Sequence, residues 1–432
     1  MPLTITAVRA FDIRFPTSRT LAGSDAMHAD PDYSAAYCIL DTSDAGLSGH
    51  GLAFTLGRGT DICVHAIEAL APKLVGRTLD GIAGDLAGFW RDLVGDGQLR
   101  WLGPEKGVVH LAAAALVNAV WDLLAKRAGL PLWRYLAAMT PEEIVAAIDF
   151  RHITDALPPE RALDILDARS PGKAARIASL QRDGHAAYTT SAGWIGYSDD
   201  KIGELARTAV ADGWNAVKMK VGVSLESDRR RAGVLRDVLG PDRLLMSDAN
   251  QVWEIDQALT WVNALRDFDL YWIEEPVSPD DILGHARVRR GVAPVRVATG
   301  EHCHNRVMFK QFLQAGAIDV VQVDACRLGG VNEVLAVLLL AAAFDKPVCP
   351  HAGGVGLCEY VQHISFFDAA CVAAGPEGRM IEHAAHLHEH FVDPIRIRRG
   401  HYLAPQKPGY SVEMKPASLT EYAYPGGAAW RA

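Results

Sequence analysis

The sequence predicts an α/β protein, in which an N-terminal α+β domain precedes a barrel of eight parallel strands. From about His185 onward, short β-rich runs alternate with helical sequence, which is typical of a parallel sheet. Eight such units in about 200 residues favour a closed TIM barrel. A doubly wound sheet is the alternative, but no GxGxxG motif follows the first strand. The eight runs are HAAYTTSAG, AVKMKVG, RLLMSDAN, DLYWIEEP, VRVATGE, IDVVQVDAC, PVCPHAGG and RMIEHAA.

The first part of the chain has a different pattern. The runs ITAVRAFDIRF and AAYCILDTSD are predicted strands, and VVHLAAAALVNAVWDLLAKRAG is a predicted helix. We assign residues 1–140 to this domain, in which a polar loop at 17–34 is long enough to act as a lid. Residues 141–184 are a predicted helical insertion or linker, and the barrel follows over 185–395.

Composition and charge limit the classes of binding partner and the cellular compartment that we expect for this protein. The 432 residues carry a net charge of −9, which gives no electrostatic footprint for nucleic acid or an anionic membrane. The seven cysteines are scattered and form no CxxC pair, as in proteins of a reducing compartment. The first residues alternate as a strand does and lack the apolar core of a signal peptide. We therefore expect a cytoplasmic protein that binds neither nucleic acid nor membrane.

Ionisable residues end six consecutive runs at nearly constant spacing. Each follows the previous one by 23–28 residues, which is one strand–helix unit. A barrel gathers the carboxyl ends of its strands around one mouth, where the catalytic residues of this fold lie. We therefore expect the six side chains to meet there. They are Lys220, Asp248, Glu274, Glu301, Asp324 and His351.

Three consecutive positions of this series are carboxylates: Asp248, Glu274 and Glu301. Three converging acids raise one another's pKa values unless a cation neutralises them. Oxygen ligands with positions left for water and substrate suit Mg²⁺. The sequence thus predicts one Mg²⁺ per site. Strand alternation sends Glu275 to the opposite face, where we expect a structural role.

The residues on either side of the acids predict the chemistry. Lys218 and Lys220 share one strand face, and we expect the neighbouring cation to lower the pKa of Lys220 toward that of a general base. Asp324 is expected to orient His351 and favour its protonated form as the acid. A base, a metal and an acid in this order predict dehydration of a hydroxy acid. A racemase or epimerase, and a catalytically silent interaction module, stay open as alternatives.

Several motifs resemble the mandelate racemase branch of the enolase superfamily. They are KMKVG, SDAN, WIEEP, ATGEHCHNR, VQVDACRLGG and CPHAGG. The resemblance implies a modified (β/α)7β barrel, an N-terminal capping domain, and a C-terminal segment, 396–432, that returns to the cap. It also implies that Asp248, Glu274 and Glu301 bind the metal and that Lys220, His351, Asp324 and Lys218 are catalytic.

Within that family, the lid sequence GSDAMHADPDYSAAY and the run YTTSAGWIGYSDD resemble the L-fuconate dehydratases. This resemblance implies conversion of L-fuconate to 2-keto-3-deoxy-L-fuconate and water, with another aldonate or aldarate as the alternative. The expected partner is a small acid sugar, and a homo-oligomer is left open. The implied substrate-binding residues are Gly23, Ser24, Asp25, Tyr33, Lys218, Asn250, His351, Ala352, Gly353 and Glu382.

Other polar and apolar groups receive structural interpretations. The histidines of HAAHLHEH do not fit a common zinc site, and we expect a surface or interface segment. His302 and His304, next to Glu301, are expected to support the site or the core. Met27 and Trp101 are candidates for an apolar wall against the methyl group of a deoxy sugar.

Overall fold

The computed structural model describes residues 2–103 and 105–431 and has the predicted fold class. A small three-stranded sheet with helices caps the mouth of a parallel barrel. The strands of the cap are β1 (Ile5–Arg14), β2 (Ser34–Thr42) and β3 (Ser48–Thr55). Its helices are α1 (Thr60–Leu70), α2 (Leu79–Ala83), α3 (Leu86–Val94), α4 (Gly107–Arg127) and α5 (Leu132–Ala138).

The cap is a meander in which β1 pairs with β2 and β2 pairs with β3, all antiparallel. The loop at 17–34 joins β1 to β2 and lies over the barrel mouth. α4 crosses β3 at short range because Gly49 and Gly51 have no side chains there. By length and composition α4 could cross a membrane, but 94% of its apolar window is buried within the protein. Its hydrophobicity therefore serves the core of the cap.

Residues 141–184 form three further helices, α6 (Pro141–Ala146), α7 (Pro159–Arg169) and α8 (Lys173–Asp183). α6 begins with a capping box, in which Thr140 and Glu143 bond each other's backbone N–H groups. Arg161 and Arg176 donate to the carbonyl oxygens of Ala343 and Ala370. The insertion thus packs on the outside of the barrel, away from its mouth.

Seven helices and eight strand positions make up the barrel. The strands are β4 (His185–Gly193), β5 (Ala216–Lys220), β6 (Leu244–Asp248), β7 (Leu270–Glu274), β8 (Arg296–Thr299), β9 (Val320–Val321) and β10 (Ile381–His383). The helices are α9 (Asp199–Ala211), α10 (Leu225–Leu239), α11 (Ile255–Ala264), α12 (Ile282–Val292), α13 (Arg306–Gln314), α14 (Val331–Ala343) and α15 (Leu357–Phe367).

Closure of the barrel is irregular at two places. The predicted run PVCPHAGG forms a single bridge, between Val321 and Val348, and bonds to the β9 segment through the N–H groups of Cys349 and His351. β10 pairs with β4 in parallel and closes the ring, but a hairpin follows it in place of an eighth helix. The hairpin strands are β11 (Ile397–Arg398) and β12 (His401–Tyr402).

Alternation along each strand gives the barrel interior an apolar floor below its ionisable mouth. The floor contains Met246, Trp272 and Cys349, all fully buried. Two residues later on the same strand faces stand Asp248, Glu274 and His351. A water-free floor removes competing solvent from one side of these groups, which strengthens the electrostatic interactions among them.

The C-terminal segment lies against the cap. Ala423 bridges Ile13 of β1, and the Tyr424 N–H donates to the Asp12 carbonyl over 2.9 Å. The Tyr37 hydroxyl of β2 accepts from the Met414 N–H over 3.0 Å. A last helix, α16 (Pro416–Glu421), completes the segment.

We predict that Gly51→Ala destabilises the protein by about 1–3 kcal/mol, the usual cost of an overpacked core. A Cβ at this position would lie 2.1 Å from the Ala115 carbonyl oxygen of α4, so helix or sheet must move. Urea denaturation measures the free energy of unfolding. Gly46→Ala in the exposed β2–β3 turn is the matched control, since its Cβ meets only Asp44 Oδ1 at 3.4 Å. Equal stability of both variants would contradict the packing argument.

Candidate active site

The parallel register of three strands brings the first residues of the series together. Lys220 of β5 is level with Asp248 of β6, which is level with Glu274 of β7. Lys220 Nζ lies 2.6 Å from Asp248 Oδ2. Lys218 Nζ lies 2.7 Å from Glu274 Oε1 and 3.3 Å from Asp248 Oδ2. The base and metal-ligand candidates are thus one contiguous charged cluster.

Asp248, Glu274 and Glu301 can place one oxygen each within 4.8 Å of the others. The first two are fully buried and Glu301 is 9% exposed. Burial, followed by repulsion from Asp248, raises the pKa of Glu274 to about 8. A buried carboxylate with a raised pKa is held in its charged form most effectively by a cation. Three oxygen donors without thiol or imidazole are the set that Mg²⁺ prefers, so the residues present fit this ion.

A second set of possible ligands shares Glu301. Glu275, Glu301 and His302 also lie within 4.8 Å of one another. Glu275 leaves β7 in a left-handed conformation with φ 44°, and its carboxylate accepts from Gln251 Nε2 over 2.9 Å. Glu275 is therefore buried beside Glu301. Strand alternation predicted that it would lie on the opposite face, away from the metal-ligand candidates. The first set fits better because it faces the lysines inside the barrel.

Lys218 acts on Lys220 in the predicted direction, but the net shift of the Lys220 pKa is opposite to the prediction. Burial and the Lys218 charge both lower the pKa of Lys220, but attraction to Asp248 outweighs them and the pKa is raised. Asp248 is held ionised, because the two lysines overcome the effect of burial and lower its pKa. Lys220 can therefore act as a base only after another cation takes over the charge of Asp248.

Asp324 and His351 form the predicted pair on the opposite side. His351 Nδ1–H donates to Asp324 Oδ2 over 2.7 Å, which orients the ring, and Nε2 lies at the cavity, 3.2 Å from the Gly353 N–H and 3.6 Å from Glu301 Oε2. The backbone N–H groups of Cys326 and Arg327 each donate to Asp324 Oδ1 over 2.7 Å. Burial lowers the pKa of His351, but attraction to Glu301 and Asp324 wins and raises it to about 9. His351 is an acid at neutral pH.

Glu382 of β10 links the two sides. Its carboxylate lies 2.8 Å from Lys218 Nζ and accepts from the Ala352 N–H over 2.8 Å. Burial raises its pKa, but Lys218 and His351 outweigh burial, and the pKa is lowered. The Ala352 N–H is therefore used within the protein, and Gly353 lines the cavity with its N–H directed at His351 Nε2.

A cavity of about 510 Å³ lies between the cap and the barrel mouth. This volume is within the range of small-molecule sites. Ten of the predicted site residues line it: Gly23, Asp25, Tyr33, Lys220, Asn250, Glu301, Asp324, His351, Gly353 and Glu382. The other five do not line it: Ser24, Lys218, Asp248, Glu274 and Ala352.

The lid loop reaches the barrel through specific bonds. Ser24 is buried, and its hydroxyl oxygen accepts from the Gly196 N–H over 2.9 Å, so it anchors the lid. The Asp25 carboxylate accepts from the N–H groups of Met27 and His28. Burial, the largest effect, raises the pKa of Asp25. Tyr33 stands with its ring edge on Phe54, at a centroid distance of 5.2 Å.

Some placements differ from the sequence predictions. Trp101 is 91% exposed and lies outside the cavity, whereas Met27 lines it. His302 also lines the cavity, 3.6 Å from Glu301, and is partly exposed, so of the two expected roles it fits support of the site and not of the core. His383 and His390 are each 8% exposed, whereas His386 and His388 are partly exposed, so only part of this segment lies at the surface. Within residues 2–103 and 105–431, no group of possible metal ligands includes these histidines.

Sequence reasoning missed several cavity residues from the barrel and one positioning group. Thr190, Trp194 and Arg327 line the cavity. Thr190 could have been found, because strand alternation puts it on the same face as Tyr188. Arg231 of α10 donates to the carbonyl oxygens of Lys220 and Gly193 over 2.7 and 2.8 Å, and so joins the ends of β4 and β5. No local sequence signal distinguishes it from other helix arginines.

The cap and the barrel each match a protein family. Residues 24–137 match "Mandelate racemase / muconate lactonizing enzyme, N-terminal domain", and residues 201–418 match "Enolase C-terminal domain-like".

Individual relatives cover almost the whole chain. L-galactonate dehydratase of Hypocrea jecorina is 54% identical over 435 residues, covering 99% of this chain and 96% of that protein. The crystal structure of human mitochondrial enolase superfamily member 1 is 52% identical, has a TM-score of 0.98, and covers 99% of this chain and 98% of that one.

A more distant structure has ligands in place. L-talarate dehydratase from Polaromonas sp. JS666, complexed with Mg and L-glucarate, is 25% identical with a TM-score of 0.73. The match covers 98% of this chain and 97% of that one. From the two domain matches and the relatives that are more than half identical over its length, the chain belongs to the mandelate racemase/muconate lactonizing enzyme family of the enolase superfamily.

Proposed function

We propose that this protein is a Mg²⁺-dependent acid-sugar dehydratase, with L-fuconate as its substrate. The observation that carries the proposal is the order of groups around one cavity. A carboxylate cluster lies between Lys220 on one side and the His351–Asp324 pair on the other. Dehydratase names among relatives support the same reaction class.

The residues that would hold the metal are Asp248, Glu274 and Glu301. When bound there, Mg²⁺ would supply Lewis-acid stabilisation of the negative charge that a substrate carboxylate gains as its α-proton leaves. Engaging Asp248 in this way also removes the main reason for the high proton affinity of Lys220. The metal set and the base are therefore coupled through one carboxylate.

The protein side chains supply the two proton transfers. Lys220 takes the proton from C2 of the sugar acid, and the C2–H electron pair enters the substrate. His351 Nε2–H gives its proton to the C3 hydroxyl as the C3–O bond breaks, so water leaves. The resulting enol becomes the 2-keto-3-deoxy acid by taking a proton at C3 while its C2 hydroxyl loses one. Asp324 holds the imidazole ring in the orientation and charge state that this step needs.

The substrate proposal rests on the apolar side chains that line the cavity and on the difference between two sugar acids. L-fuconate is the 6-deoxy form of L-galactonate, so the two acids differ by one hydroxyl at C6. The apolar side chains Met27, Phe54 and Trp194 line the cavity beside the polar groups Asp25 and Thr190. An apolar wall favours a methyl group, whereas an unpartnered C6 hydroxyl there would lose its hydrogen bonds to water.

The substrate is tested by incubating the purified protein and Mg²⁺ with L-fuconate, L-galactonate and a panel of aldonates and aldarates. We expect a 2-keto product, detected with semicarbazide, and kcat/KM highest for L-fuconate. A higher value for L-galactonate would overturn the substrate while leaving the reaction class. Accumulation of a deuterated epimer in D₂O without ketone would replace the dehydratase with an epimerase.

The separate roles of base and acid predict different losses. His351→Asn is expected to lower dehydration about 10²–10⁴-fold but to keep exchange of the C2 proton with D₂O, because Lys220 is intact. Lys220→Met is expected to lose both. Proton NMR of the substrate in D₂O measures exchange and product together. Loss of exchange in His351→Asn, with normal folding by circular dichroism, would contradict the assigned roles.

Removal of the metal should abolish turnover. We expect EDTA to eliminate product formation and excess Mg²⁺ to restore it, since the charge at C2 is otherwise unstabilised. Asp248→Asn is expected to weaken Mg²⁺ binding measured by calorimetry, because one charged ligand becomes neutral. Glu275→Gln is the comparison, as it alters the second set of possible ligands. Weaker binding in Glu275→Gln than in Asp248→Asn would favour that second set.

A further inference from the structure

β10 carries Glu382 but has few backbone bonds of its own. It is three residues long and, among the described residues, pairs as a strand only with β4. On its other side, the Met380 N–H donates to Cys349 Sγ over 3.4 Å. No barrel helix follows it to pack on its outer face. The position of Glu382 must therefore be fixed by other contacts.

Side chains supply these contacts. The Tyr402 hydroxyl of β12 donates to the Glu382 carbonyl over 2.6 Å. Directly after the strand, the Ala385 N–H donates to Ser191 Oγ over 2.7 Å. His388 Nε2 lies 2.7 Å from the Ala384 carbonyl oxygen. The exit of β10 is held from three directions, and only the His388 contact involves a group that titrates near neutral pH.

The other nitrogen of His388 reaches the barrel helix that follows His351. His388 Nδ1 lies 2.7 Å from Glu359 Oε1, and Glu359 is fully buried on α15. A carbonyl oxygen and an ionised carboxylate can only accept hydrogen bonds. The Ala384 contact therefore places a proton on Nε2, and the contact of Nδ1 with a carboxylate places a second proton on the ring, so the geometry fits an imidazolium that bridges β10 to α15.

The titratable neighbours of His388 agree with this charge state. From α15 it faces Glu359, and from β10 the His383 ring stacks on it at a centroid distance of 5.6 Å. His386 and Glu389 come from its own loop. Burial lowers the pKa of His388, but Glu359 outweighs burial and raises it. Burial lowers the pKa of His383 to about 3, so that ring is neutral and adds no repulsion.

We infer that His388 is a positioning residue for the active site, acting as an imidazolium that ties the exit of β10 to α15. It sets the place of Glu382 relative to Lys218 and to the Ala352 N–H, 2.8 Å away on either side. The same tie fixes α15, which follows the segment that carries His351. The charge state of His388 can be tested without the proposed function. Its effect on turnover rests on the proposed function.

The raised pKa of His388 determines the direction in which its stabilising contribution changes with pH. A histidine whose folded pKa exceeds its unfolded value, about 6.5, contributes its full stabilisation below that value. The contribution is lost as the pH rises through the folded pKa, because the neutral ring can donate only one of the two bonds. Glu382 then loses one of its supports on the alkaline side.

The charge state can be read without any turnover. In protein labelled with ¹⁵N-histidine, we expect the His388 ring to show protons on both nitrogens at pH 7, and the signals are assigned by their loss in His388→Gln. In Glu359→Gln, which keeps the size and the acceptor oxygen, we expect the second proton to leave at a lower pH. A single-tautomer neutral ring at pH 7 in the wild-type protein would overturn the inference.

Measurements of turnover test whether the contact between His388 and Glu359 affects the active site. We expect kcat of Glu359→Gln to fall about tenfold at alkaline pH and its alkaline limb to move to lower pH, with little change in KM. Misplacing a catalytic group by about 1 Å costs this much or more. His390→Gln is the matched control, since that ring instead contacts Ser418 and packs on Phe15 of the cap. We expect the control to keep the wild-type profile.

The outcomes separate the two proposals. A wild-type profile in Glu359→Gln, while NMR shows that His388 has lost its second proton, would sink the positioning role even if the enzyme is an active dehydratase. Absence of turnover on every acid sugar would refute the proposed function and leave the imidazolium test standing. If His388→Gln does not fold, the isosteric Glu359→Gln variant carries both measurements.

Discussion

Charge balance at the mouth of the barrel is the constraint on which the rest of this structure depends. Asp248, Glu274 and Glu382 are almost fully excluded from water, and only Lys218 stands among all three. Buried charges of this kind are tolerated only when each has a partner of opposite sign. Burial and then repulsion from Asp248 raise the pKa of Glu274 to about 8, although Lys218 acts against both. A divalent cation supplies what the side chains lack.

The surrounding architecture shields this cluster from bulk water below and above, and leaves it open to the cavity. Below it, side chains such as Met246 and Trp272 fill the barrel floor. Above it, the lid loop reaches across the mouth and is anchored by Ser24 on the Gly196 N–H. Low dielectric surroundings strengthen attraction and repulsion alike. The cap therefore serves more than substrate contact, because it keeps the electrostatic interactions of the barrel mouth strong.

The missing eighth helix has consequences for the site. A regular barrel strand is held by two neighbours and by a helix on its outside, whereas β10 has β4 and a set of side-chain bonds. Tyr402 comes from the C-terminal hairpin and His388 from the connecting loop. The C-terminal part of the chain thus replaces the absent helix, and it does so through polar contacts to the one strand that carries Glu382.

Patterns in the sequence were enough to predict the barrel, the cap and the series of ionisable strand ends. These follow from periodic patterns, since one strand–helix unit repeats and alternation assigns each side chain to one face. Only the tertiary structure decided how these charges act on one another. It reversed the predicted pKa shift of Lys220, because Asp248 lies 2.6 Å away on the adjacent strand. It placed Glu275 beside Glu301, removed Trp101 from the cavity and buried His383. Each of these depends on distances between residues far apart in the chain, which no local pattern records.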